Sequence, residues 1–169
     1  KVSQPLTGWM GHIQPFEFVV NYQPANDICK YICGTPPIIA YKAIESGLTV
    51  FEQVSMNVVR EKSIKLSEMF IQLMQQECIK FGFELFSPRN AEQRGSQVSF
   101  THGNGFSIMQ TLISHSVVGD FRQPNILRFG FSPLYMRFED VWDAVICLRE
   151  IMQTKEWQSE QFNKRGYVT

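Results

Sequence analysis

Three stretches carry residue types able to do chemistry. In Gly8-Trp9-Met10-Gly11-His12 an indole stands between glycines, where it can stack on a ligand or offer its N–H, or plug an apolar gap. His12 has no carboxylate or cysteine partner nearby in sequence, which fits a hydrogen-bonded structural histidine. Cys33-Gly34-Thr35-Pro36-Pro37 places a hydroxyl and free amides just ahead of a helix start. That arrangement can hold a phosphate, or Thr35 can simply cap its own helix, and local spacing leaves both readings open. Arg128 lies in Ile126-Leu127-Arg128-Phe129-Gly130-Phe131, with no acid within three residues. A guanidinium there needs an anion: a substrate carboxylate, an internal ion pair, or water at a sheet edge.

Other chemistries lack their residues. No serine, histidine and acid set is legible for nucleophilic catalysis, and no glycine-rich loop leads into a lysine. Cys29, Cys33, Cys78 and Cys147 show no zinc-knuckle or redox spacing; Cys29 and Cys33 with His12 could be drawn as a partial metal site, but scattered buried thiols in a reducing cytosol are the expectation. Arg94-Gly95-Ser96 and Gly119-Asp120-Phe121-Arg122 put charges beside glycines and read as structural loops. Sixteen basic residues balance sixteen acidic ones, so no net field draws in nucleic acid or an anionic membrane. No apolar run is long enough to span a bilayer and no secretory signal opens the chain, so a cytoplasmic protein is expected.

These residues need elements to position them. At 169 residues and 44% hydrophobic content, the chain can bury one real core. Lys1 to Cys33 mixes glycine, proline and aromatics without a period, which predicts an irregular arm packing on something else, its first residue lying mid-protein. Pro36-Pro37 opens a short helix that Gly47 should stop. Apolar residues at three- and four-residue intervals predict a long helix from Phe51 to Lys80, ended by Gly82. Strands are predicted at Glu84 to Phe86, Gln97 to Thr101 and Ile126 to Phe131, with helices over Phe106 to His115 and Glu139 to Met152 and a loose polar tail after Lys155. That order is a small α/β layer with helices on one face of a mostly antiparallel sheet.

Taken in order, the motifs resemble the kynureninase family. The resemblance runs from about Gln4 to Met152 and rests on five stretches: Gln4 to His12, Cys33 to Pro37, Arg94 to Phe100, Val118 to Arg122, and Leu127-Arg128-Phe129-Gly130-Phe131-Ser132-Pro133-Leu134-Tyr135. It implies the C-terminal part of an aminotransferase-like (fold type I) enzyme, a homodimer using pyridoxal 5'-phosphate to hydrolyse L-kynurenine, or its 3-hydroxy form, to anthranilate, or 3-hydroxyanthranilate, and L-alanine in tryptophan catabolism. Residues 1–50 would be the end of the large cofactor-binding domain, 51–155 the small α/β domain, and 156–169 a polar tail. Trp9 and Thr35 would contact the cofactor phosphate or the substrate region across the dimer interface, Arg128 would hold the substrate carboxylate, and His12 and Met10 would line the pocket. The family's Schiff-base lysine has no counterpart in this sequence, and Lys1 lies too close to Trp9 to be it. The chain by itself is therefore expected to be inactive. Alternatives are a non-catalytic binding or interaction domain that keeps the fold, or a different fold type I enzyme acting on another amino acid.

Overall fold

The computed structural model describes residues 5–164, so Lys1, Gln4 and the end of the polar tail lie outside it. The chain divides into two compact units, Lys1–Gln53 and Val54–Thr169.

In the first unit, the arm folds on itself through backbone contacts. Trp9–Gly11 forms one tight helical turn, and His12 bridges Pro24 in antiparallel fashion. Ile13 N donates to Gln23 O at 2.8 Å and Ala25 N to Gly11 O at 2.9 Å. Asp27 then opens a second tight turn, Ile28–Tyr31, its carboxylate accepting from Cys29 N. That bond holds the Asp27 carboxyl below the usual range. Helix α1 follows as Ile38–Leu48. It runs through Gly47 rather than stopping there, since a helical glycine costs only about 1 kcal/mol and Thr49 Oγ1 closes the end on Ser46 O at 2.8 Å.

The second unit holds the core. The long helix expected from Phe51 begins later: Phe51–Gln53 is a separate turn, and α2 spans Met56–Leu73 behind the N-cap Ser55, whose hydroxyl accepts from Val58 N. The helix then widens into a π-helical stretch, Met74–Cys78, and tightens over Ile79–Phe81 before Gly82 ends it at φ 92°. A β-carbon disfavours that left-handed conformation, which is why the glycine sits there. Strands β1 (Glu84–Leu85), β2 (Gln97–Thr101), β3 (Asp120–Arg122) and β4 (Ile126–Gly130) form one sheet in the order β1-β2-β4-β3, every pair antiparallel. Helix α3 (Gly105–Ser114) joins β2 to β3, and α4 (Phe138–Thr154) follows β4. The Asp140 carboxylate caps α4 by accepting from Arg137 N at 2.7 Å. This is the expected α/β layer. Strand β3 was not legible, because three residues carry no period and pair only through β4.

Alternation decides which residues enter the core. In β4, Leu127 and Phe129 are buried while Arg128 between them faces the other side of the sheet. Phe70 of α2 is the hub beneath, its ring 5.9 Å from Phe100, 4.9 Å from Phe129 and 5.0 Å from Phe131. Burying a phenyl of this kind stabilises by roughly 1.5–3 kcal/mol. The tail expected to be loose is docked as far as it is described. Glu156–Gln158 and α5 (Glu160–Asn163) are helical, Trp157 packs against the core, and Ser107 Oγ donates to Asn163 Oδ1 at 2.6 Å. One partly buried tryptophan outweighs the polar residues around it. Among the described residues, no helix is long and apolar enough to cross a membrane.

Candidate functional site

The first group of candidate residues is assembled by close backbone approach. A β-carbon on Gly8 would lie 2.7 Å from Cys33 Cα and closer still to the Cys33 carbonyl; one on Gly11 would lie 2.9 Å from Lys30 O. Two glycines thus let the Trp9 turn press against the segment leading into Thr35, and Cys33 Sγ reaches Leu6 O at 3.5 Å. Sequence motifs separated by more than twenty residues become one surface.

On that surface Trp9 is 47% exposed, its ring edge-on to Phe16 at 5.6 Å. With His12, Phe18 and Tyr22 it lines a cleft of about 340 Å³. Met10 is half-buried and does not contribute to that wall. His12 is buried and both ring nitrogens are engaged: Nδ1 accepts from Gln14 N at 2.9 Å, and Nε2 lies 3.4 Å from Asn21 O. Acceptance at Nδ1 leaves the proton on Nε2, directed at the Asn21 carbonyl. His12 therefore braces the loop while lining the cleft.

Thr35 does not cap its helix. The cap position of α1 is Pro37, with no side-chain hydrogen bond to the first turn. The Thr35 side chain is exposed, and neither its hydroxyl nor the Trp9 indole N–H has a hydrogen-bond partner among the described residues. The free Thr35 hydroxyl, just ahead of uncapped helix amides, fits a phosphate group, and the indole N–H is a further free donor of the same unit. Cys33 is exposed, which corrects the expectation of buried thiols; of the four cysteines only Cys78 is fully buried. Among the described residues, no three metal-ligating side chains come together.

Arg128 lies in the second unit, on the face of β4 away from the core, and it has an internal partner that its sequence neighbourhood did not show. Asp120 is its register partner across β3 and β4. Arg128 Nε donates to Asp120 Oδ2 at 2.8 Å, and Nη2 donates to the same oxygen. Gly119 packs closely beside this pair: a β-carbon there would sit 2.7 Å from the Met109 methyl and 3.1 Å from Arg128 O. The glycine beside the acid was the available signal, and it read only as a loop.

Arg94 is the more deeply buried cation. Its guanidinium donates to Pro88 O at 3.1 Å, to Arg89 O at 2.6 Å and to the Glu68 carboxylate. Burial works to raise the Glu68 carboxyl, but the hydrogen bonds from Arg89 and Arg94 outweigh it and hold the group below its ordinary value. Arg94 is thus a structural staple between α2 and the loop before β2, as its motif suggested.

Comparison with known proteins gives the family and the fold. Residues 59–148 match the family described as Kynureninase C-terminal domain. The chain is 46% identical over 167 residues to a kynureninase of Burkholderia mallei (strain SAVP1), covering 99% of this chain and 40% of that protein. It is also 46% identical over 168 residues to a kynureninase of Pseudomonas fluorescens, with the same coverage. It therefore spans about 40% of the length of these curated relatives. Among solved structures, the apo cysteine desulfurase from Thermococcus onnurineus NA1 superposes with a TM-score of 0.70 at 17% identity, covering 89% of this chain and 39% of that one, a likeness of fold.

Proposed function

Because this chain belongs to the kynureninase C-terminal domain family, we propose that it is the C-terminal part of a cytoplasmic, homodimeric, pyridoxal-phosphate-dependent hydrolase acting on L-kynurenine or its 3-hydroxy form. The fold is that of the C-terminal part of an aminotransferase-like enzyme. When bound, the cofactor supplies the electron sink that cleavage of the substrate carbon–carbon bond draws on.

The work of this chain's own residues is to bind and orient. Trp9 and Thr35 donate from a rigid, glycine-packed surface to the phosphate of a cofactor held by the partner subunit. Arg128 grips the substrate α-carboxylate, its planar fork matching the two oxygens and fixing the substrate relative to the cofactor. The observation that most directly supports this reading is the Arg128 guanidinium, which stands on the sheet face away from the core with its Nη1 end unpartnered among the described residues.

The decisive comparison uses the full-length enzyme. Arg128→Ala is expected to lose roughly 2–5 kcal/mol in kcat/KM, with Arg128→Lys losing less and cofactor affinity near normal. A kcat/KM within a few-fold of wild type, or joint loss of cofactor and fold, would return Arg128 to a structural ion pair. The chain alone, carrying no counterpart of the family's lysine, is expected to release no anthranilate from kynurenine. Release above a no-protein control, abolished by borohydride, would refute that.

A further inference from the structure

We infer that Asp120 is a positioning residue for Arg128, holding its guanidinium so that the far edge of the fork is presented to the substrate carboxylate. This rests on the reading of Arg128 as the carboxylate clamp.

A guanidinium offers two bidentate edges, Nε with Nη2 and Nη1 with Nη2. Asp120 takes the first with a single oxygen, Oδ2, which accepts from both Nε and Nη2 of Arg128. The second edge keeps Nη1 and the remaining Nη2 proton. Register places the pair, because Asp120 and Arg128 are Cα partners in an antiparallel ladder and their side chains rise from the same face.

Two further observations separate orientation from stability and from neutralisation. The side chains of Arg128 and Asp120 are 32% and 44% exposed, so the pair adds little to folding. Asp120 is also shared: Arg122 Nε lies 3.2 Å from the same Oδ2. One carboxylate between two guanidiniums leaves these three side chains net positive, the further acid of this face, Glu84, standing in β1 two strands away from β4, so Asp120 does not cancel the local attraction for an incoming anion. What it removes is rotational freedom of a long side chain, before substrate arrives. A preorganised fork lowers KM and leaves the chemical step alone.

The test uses the full-length holoenzyme carrying Asp120→Ala, Asp120→Asn, Arg128→Ala or Asp120→Ala with Arg128→Ala. Asp120→Ala is expected to raise KM for kynurenine roughly tenfold, as for loss of a hydrogen bond to a charged group. It should leave kcat within about threefold, the range of a pure binding defect. Cofactor affinity and Tm should match wild type. Asp120→Asn, which keeps an acceptor in place, should recover part of the loss. The decarboxylated amine corresponding to the substrate should inhibit wild type and Asp120→Ala equally, and the double variant should be no worse than Arg128→Ala alone. If Arg128→Ala raises KM and Asp120→Ala does not, the positioning role is wrong and the clamp stands. If Arg128→Ala itself leaves KM unchanged, the clamp reading fails and this inference with it. Additive effects in the double variant, or a fall in Tm and cofactor affinity together with the rise in KM, would also overturn the positioning role.

Discussion

Gly8 lies so close to Cys33 that a β-carbon on the glycine would collide with the Cys33 carbonyl. The backbone of Gly8 is extended, at φ −168°, so the requirement is for space and not for an unusual torsion. Gly8→Ala is therefore expected to force the Trp9 turn off the Thr35 segment, costing roughly 1–3 kcal/mol as overpacking does. Urea unfolding of the chain should show the loss; a wild-type midpoint would mean that the two segments can separate freely.

The exposed donors beside this contact make a prediction about the cofactor. In the full-length enzyme Thr35→Ala should weaken pyridoxal phosphate binding by roughly 1–3 kcal/mol, and Trp9→Phe should weaken it as well by removing the indole N–H. Equilibrium titration of the apoenzyme measures both. Unchanged dissociation constants in the two variants would make these residues purely structural.

The Glu68 pair with Arg94 sets an acid dependence. A carboxyl held below its ordinary value of 4.5 contributes stability that is complete above that pH and lost as pH falls through the lower folded value. Glu68→Gln should thus destabilise at neutral pH, by about 3 kcal/mol given that the Arg94 side chain is only 3% exposed. The gap between variant and wild type should narrow below pH 4.5, where the wild-type carboxyl also protonates. Thermal unfolding from pH 3 to 7 reads this directly; a gap that is constant with pH would contradict it.

Thiol reactivity should divide the cysteines. Burial pushes the Cys78 thiol up to about 12, with the Glu77 charge adding to it, whereas Cys33 is exposed. Maleimide at pH 7.5 is expected to modify Cys33 in the native chain and Cys78 only after unfolding, because the thiolate is the nucleophile. Peptide mapping by mass spectrometry distinguishes the two, and early labelling of Cys78 would show that the core opens around it.

The amino-acid order by itself determined the elements whose signal is local. The three- and four-residue recurrence of Leu66, Phe70 and Leu73 made α2 legible, alternation made β2 legible, and Gly82 marked the end of the helix, because period and turn chemistry act over a few residues. The same is true of the candidate donors, since Trp9, Thr35 and Arg128 stand in stretches specific enough to identify a family. What depended on distant partners did not show. Asp120–Arg122 became a strand only by pairing with β4, and Trp157 tied down a polar tail only by reaching the core. Thr35 was released from capping because Pro37 took the position. Above all, Arg128 found its carboxylate eight residues away in sequence but directly across a ladder, where strand register, and not local composition, decides which charges meet.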